Sequence, residues 1–182
     1  MRKSTFLSAT MLLLVACDNR HPARPVVEQF AAAVVAGDVE QIFATHVDST
    51  PQGAFCRKEF RDILEKARTL DEAGCATTIA LHEEVSGLND LAPDEVQLAL
   101  QTGRWVCENP RGTCVDYART VFEQSLQHSE FADPVTVVSV EEVVGDASNA
   151  VAQLTLDTSK PHTLYLQNVG EGWRITRGVL PR

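Results

Sequence analysis

The chain contains none of the short patterns that announce a common chemistry. It has no HExxH zinc helix, no GxSxG nucleophile turn, no Walker loop and no Gly-rich dinucleotide turn. Its cysteines form no CxxC pair of the kind that zinc sites and redox dithiols use. No internal repeat, low-complexity tract or composition break divides it. Basic residues are also scarce, 16 Lys and Arg against 25 Asp and Glu, for a formal charge of −9. Such a field repels nucleic acid and anionic headgroups and speeds encounter with basic partners. No metal, cofactor or nucleic acid is therefore expected.

Long apolar runs are missing too. The longest begins at Phe6 and ends at Val15, broken by Ser8 and Thr10. That is short of the roughly 20 apolar residues needed to cross a bilayer. With Arg2 and Lys3 before it and Ala16 after it, the run has the order of a secretory leader over residues 1–16. Leu14, Val15, Ala16 and Cys17 resemble a bacterial lipobox. The resemblance implies cleavage before Cys17, a diacylglyceryl group on its thiol and acylation of the freed amine. It also implies that Asp18 favours retention in the inner membrane. Two or three acyl chains hold where one does not, at about 0.8 kcal/mol per buried methylene. The expectation is a lipid-anchored protein of the cell envelope facing the periplasm. Loss of the leader removes two positive charges and no negative one, taking −9 to −11.

After the lipidated residue, 17–24 read as a polar linker and 25–182 as one α+β domain. Four cysteines remain, an even set that outside the cytoplasm favours disulfides. Cys107 and Cys114 flank the turn formers Asn109, Pro110 and Gly112, which suggests a disulfide-closed hairpin and leaves Cys56 to pair with Cys75.

Pro25 suits a first helical turn, and Val27, Phe30, Ala31, Val34 and Val35 recur at helical spacing up to Gly37. Asp38 caps a second helix carrying Val39, Ile42 and Phe43. A third carries Phe60, Ile63, Leu64 and Ala67, with 70–74 as a loop leading to Cys75. Thr77, Ile79 and Leu81, then Val96, Leu98 and Leu100, alternate with other residues and read as strands, the second extending through Trp105. Residues 115–126 fit a strand entering a helical turn. Runs 134–144, 150–157, 162–169 and 172–179 read as an antiparallel meander with one buried face.

Val27-Glu28-Gln29-Phe30 through Ala36-Gly37-Asp38, Gly145-Asp146-Ala147 before a strand, and Gly172-Trp173-Arg174-Ile175 resemble the nuclear transport factor 2-like superfamily. That resemblance implies helices packed on a curved antiparallel sheet in a cone. It covers the two ends of the chain and not 76–131. Some members are isomerases or dehydratases with an Asp or His base in the cone, and a homodimer on an exposed sheet face is compatible with the family.

Candidate chemistry is sparse. His46, His82, His128 and His162 belong to no signature, and His82 beside Glu83 and Glu84 reads as a solvated strand end. Asp116, Tyr117 and Arg119 line a pocket or a surface. Trp105, Trp173, Tyr117 and Tyr165 are the aromatic candidates, with Trp173 in the core and Tyr165 on the opposite strand register. The candidate partner-binding residues are Glu108, Asn109 and Arg111 on the hairpin, together with Tyr165. A non-enzymatic protein-binding module is expected, of the type of an immunity or inhibitor protein against a basic secreted toxin. The alternatives are a small-molecule binder or isomerase-type enzyme, and an accessory subunit of an envelope machine.

Overall fold

The computed structural model describes residues 21–86, 94–129, 138–156 and 161–177. The leader, the lipobox with Cys17 and Asp18, the 158–160 turn and the outer ends of the first and last predicted strands lie outside the described residues.

The order is α1 (Arg24–Ala36), α2 (Val39–Ala44), two 3-10 turns (Val47–Ser49 and Ala54–Cys56), α3 (Lys58–Ala67), α4 (Glu72–Ser86), α5 (Asp94–Glu108) and α6 (Cys114–Leu126). Four strands follow: β1 (Val138–Gly145), β2 (Asn149–Leu156), β3 (His162–Asn168) and β4 (Trp173–Arg177). Each strand pairs antiparallel with the next, in the order β1-β2-β3-β4. Irregular register at Val140/Val143 and at Tyr165/Leu166 bends the sheet. The expected α+β architecture, helices packed on a curved antiparallel sheet, is the one observed.

Local chemistry explains the clear elements. Pro25 sits in the first turn of α1, and Gly37 ends that helix in the left-handed region at φ 64°. Asp38 then caps α2 by accepting from Gln41 N. Val27, Phe30, Ala31 and Val34 are buried against the sheet while Val35 is exposed. Folding begins before the expected boundary at 25: Ala23 is fully buried and His21 stands edge-on to Trp173. Residues 21–24 are thus part of the domain.

Each sheet edge makes a hydrogen bond to a neighbouring segment. Arg24 donates to Glu141 O on β1, and Ile175 N of β4 donates to Thr45 O.

The middle third corrects the sequence reading. Residues 72–86 and 94–108 are helices, not strands. In α4 the half-buried positions are Gly74, Cys75, Thr78, Ile79, His82 and Val85, at helical spacing. Within it, Thr77 and Thr78 turn their hydroxyls back onto Ala73 O and Gly74 O. In α5 the alternating Val96 and Leu98 are exposed, and the buried residues are Thr102, Gly103, Trp105 and Val106. Residues 115–126 are helical throughout, started by a capping box between Thr113 and Asp116.

The disulfides change accordingly. Cys56 joins Cys114 and Cys75 joins Cys107, with Cα atoms 5.2 and 5.6 Å apart. The expected Cys107–Cys114 and Cys56–Cys75 pairs do not form, and no disulfide closes a hairpin. The reason is the packing: α4 and α5 pack side by side, which sets Cys75 in the first turn of α4 beside Cys107 near the end of α5. Cys56 closes the second 3-10 turn where that turn meets the start of α6.

Two clusters form the interior. One gathers Phe30, Ile42, Phe43, Phe122, Leu154 and Ile175 with their neighbours between α1, α2, α6 and the sheet. The other is Phe60, Leu64, Trp105, Val106 and Tyr117 among α3, α5 and α6.

Candidate functional site

Asn109 to Gly112 form the turn between α5 and α6, closed by Gly112 N donating to Asn109 O. Pro110 and Arg111 are exposed at its tip. Every residue around them is tied down. Asn109 donates its side-chain amide to Trp105 O at 3.0 Å, and Arg68 reaches across from the end of α3 to Gly112 O. Gly112 lies flat on the Trp105 ring, and a Cβ there would collide with the indole. Thr113 donates to Asp116 from both its backbone N–H and its hydroxyl, each at 2.7 Å. These two bonds hold the Asp116 carboxyl below its ordinary range.

The two disulfides lie at opposite ends of this turn. Cys107 is fastened to α4 and Cys114 to the second 3-10 turn. The turn is not a covalently closed loop, yet each of its stems is anchored to a different element. A backbone fixed in this way loses little entropy when a partner docks.

A cleft of about 500 Å³ opens beside the turn, lined by Trp105, Pro110, Arg111, Asp116 and Arg119 among others. Trp105 is 9 % exposed and donates Nε1–H to Thr120 Oγ1. Arg119 pairs with Glu40 at 3.0 Å and stands over the Phe43 ring. Glu108 forms an exposed pair with Arg104 at 2.9 Å, a bond that also raises the arginine's pKa.

Of the expected contact residues, Glu108, Asn109 and Arg111 therefore cluster at the turn, and Asp116 and Arg119 join them in the cleft. Tyr165 does not. It is 48 % exposed on the sheet face turned away from the helices and lines a separate groove that shares no residue with the cleft. Pro110 belongs to the turn expected from sequence and Trp105 to the aromatic candidates, whereas Arg68 carries no signal in the sequence. The reach of Arg68 depends on how α3 packs.

The perturbed titratable groups have structural causes. His46 is 6 % exposed, with its ring against Phe30 and Phe122. Burial lowers its pKa from 6.5 to about 4, partly offset by the bond from Nδ1 to Ile42 O at 2.9 Å. It is neutral, and Nε2 is buried without a partner among the described residues. Tyr117 is raised by burial and receives a hydrogen bond from Thr102. Asp146 is lowered by the Ser148 and Asn149 backbone N–H groups of the β1–β2 turn. His82 lies on α4 within 3.4 Å of Arg104 rather than at a strand end. Among the described residues, no group of three His, Cys, Asp or Glu is placed to hold a metal ion, and no helix is long and apolar enough to cross a membrane.

No family model and no curated protein matches the chain. It is similar to a solved Campylobacter jejuni structure described as an NTF2-like transpeptidase, at 9 % identity and a TM-score of 0.34, over 85 % of this chain and 96 % of that one. The α+β architecture rests on the elements themselves.

Proposed function

We propose that this chain is a non-enzymatic protein-binding module held at the periplasmic side of the cell envelope by lipid on Cys17. Its role is that of an immunity or inhibitor protein against a secreted basic hydrolase. The observation that carries this reading is the α5–α6 turn, which offers Pro110 and Arg111 to solvent on a backbone anchored at both stems. Arginine is enriched among the residues that dominate binding energy, and rigid presentation keeps the cost of ordering small.

The charge balance supports the same reading. A formal charge of −9, which becomes −11 once the leader with Arg2 and Lys3 is lost, steers a basic partner toward the chain at long range. At contact range Arg111 is complementary to a carboxylate. Enzymes that cleave glycosidic bonds carry a pair of carboxylates at the reacting centre, and a guanidinium can bind such groups through two hydrogen bonds. A cell-wall-attacking hydrolase combines both properties, and lipidation would hold the inhibitor in the compartment where it acts.

The test is affinity capture from envelope extract with the full chain and with its Arg111→Glu variant, followed by an activity assay on whatever is retained. A basic hydrolase held by the wild type, inhibited by it and released by the variant is the expected result. Retention of nothing but the chain itself would sink the protein-binding reading.

A further inference from the structure

A second surface offers chemistry that the turn does not. The sheet face opposite the helices is open, and the segment from Val47 to Arg57 passes beside β4 to wall a groove of about 790 Å³. Strand register sets its floor. Val151 stands opposite Tyr165 and Asn149 opposite Gln167, so a half-exposed aromatic ring lies beside two amide side chains. Gln52 and Arg57 line the groove from the wall. The Gln52, Asn149 and Gln167 amides, the Arg57 guanidinium and the Tyr165 hydroxyl have no hydrogen bond to any described residue. By contrast Asp48, the carboxylate in the groove, already accepts from Ala54 N, and Asn168 Oδ1 accepts from Gly170 N.

The unused groups define what would fit. Each amide supplies both donors and an acceptor, which suits hydroxyl groups that themselves donate and accept. Asp48 and Arg57 oppose one another in charge, so the groove favours neither an anion nor a cation. The Tyr165 ring with Val151 beside it is an apolar platform for a flat C–H surface. We propose that this groove binds a neutral oligosaccharide strand, with one sugar ring stacked on Tyr165 and its hydroxyls bonded to Asn149, Gln167 and Gln52. The volume lies within the range of about 300–1,000 Å³ of small-ligand clefts, and the groove's open side admits a chain rather than an isolated molecule. A protein partner suits it less well, because binding hot spots sit in desolvated anchor pockets, and here the aromatic is ringed by amides that a partner would have to match one by one.

The inference goes beyond the proposed function and uses none of the turn residues. The full chain is titrated with three neutral tetrasaccharides, chitotetraose, cellotetraose and maltotetraose, by calorimetry at millimolar sugar. At least one is expected to saturate a single site. Tyr165→Ala should weaken it at least about tenfold, Gln167→Ala should weaken it severalfold, and Tyr165→Phe should retain it, since the ring remains. Arg111→Glu should leave it unchanged, which separates this site from the turn. Both groove side chains are exposed, and matching thermal midpoints would confirm that the variants fold. Absence of binding by all three sugars overturns the proposal. So does binding that Tyr165→Ala and Gln167→Ala leave intact, or a protein partner that loses affinity on Tyr165→Ala while no sugar binds.

Discussion

The sheet half and the helical half of this protein are held together by different means. Among the described residues, twenty buried side chains form one cluster around the sheet, and no cysteine lies within its strands or in α1 and α2. Five buried side chains among the described residues form the second around Tyr117, and both disulfides lie there. Helix α6 belongs to both, with Phe122 in the first and Tyr117 in the second, and Phe55 packs against each. Where apolar burial is ample the chain needs no covalent help. Where it is thin, cross-links restrict the unfolded chain instead.

The strongest way to break that contrast is reduction. The disulfides span 58 and 32 residues, so the chain-entropy argument gives about 4 kcal/mol for each. The two tryptophans report the halves separately, since Trp105 lies in the helical cluster and Trp173 in the sheet cluster. In Trp173→Phe protein the remaining fluorescence should reach its urea midpoint far earlier after reduction. In Trp105→Phe protein the midpoint should move much less, and equal shifts would show that the halves unfold as one.

Acid should attack the opposite half. The folded pKa of His46 is about 4 against an ordinary 6.5, so the folded chain binds fewer protons between those values. Stability is full above about pH 6.5 and falls as pH drops toward 4, by roughly 3 kcal/mol in total. Denaturant midpoints measured across that window should show the loss, and His46→Leu should flatten the part due to this group.

Smaller changes probe the turn. Gly112→Ala drives a methyl group into the Trp105 ring and should cost about 1–3 kcal/mol, visible as a lower thermal midpoint and altered Trp105 emission. Glu108→Ala removes an exposed pair one helical turn from Arg104 and should cost no more than about 0.5 kcal/mol, within the scatter of most melts.

The same division governs what could be read from sequence. In the sheet half the signals were local and mutually consistent: Gly37 and Asp38 punctuate α1 and α2, and Leu164, Leu166 and Ile175 alternate inward as their pattern required. In the helical half the local signals misled. Apolar residues at 96, 98 and 100 mimic a strand, while the side of α5 that packs is marked by Thr102, Trp105 and Val106 instead. The turn formers between Cys107 and Cys114 suggest a hairpin only if the segments on either side are strands; those segments are α5 and α6, and the wrong pairing follows from the wrong element type. The candidate contact residues at 108, 109 and 111 were legible as turn chemistry. The anchoring that makes them rigid was not, because it depends on Cys56, Arg68 and Cys75, each more than 30 residues away in sequence.

The most direct test of the protein-binding account is to measure the captured partner's affinity for wild type, Arg111→Glu and Tyr165→Ala side by side. The account predicts a loss of at least about a hundredfold for Arg111→Glu, in the range of a binding hot spot, and no change for Tyr165→Ala. Equal affinity of wild type and Arg111→Glu would contradict it.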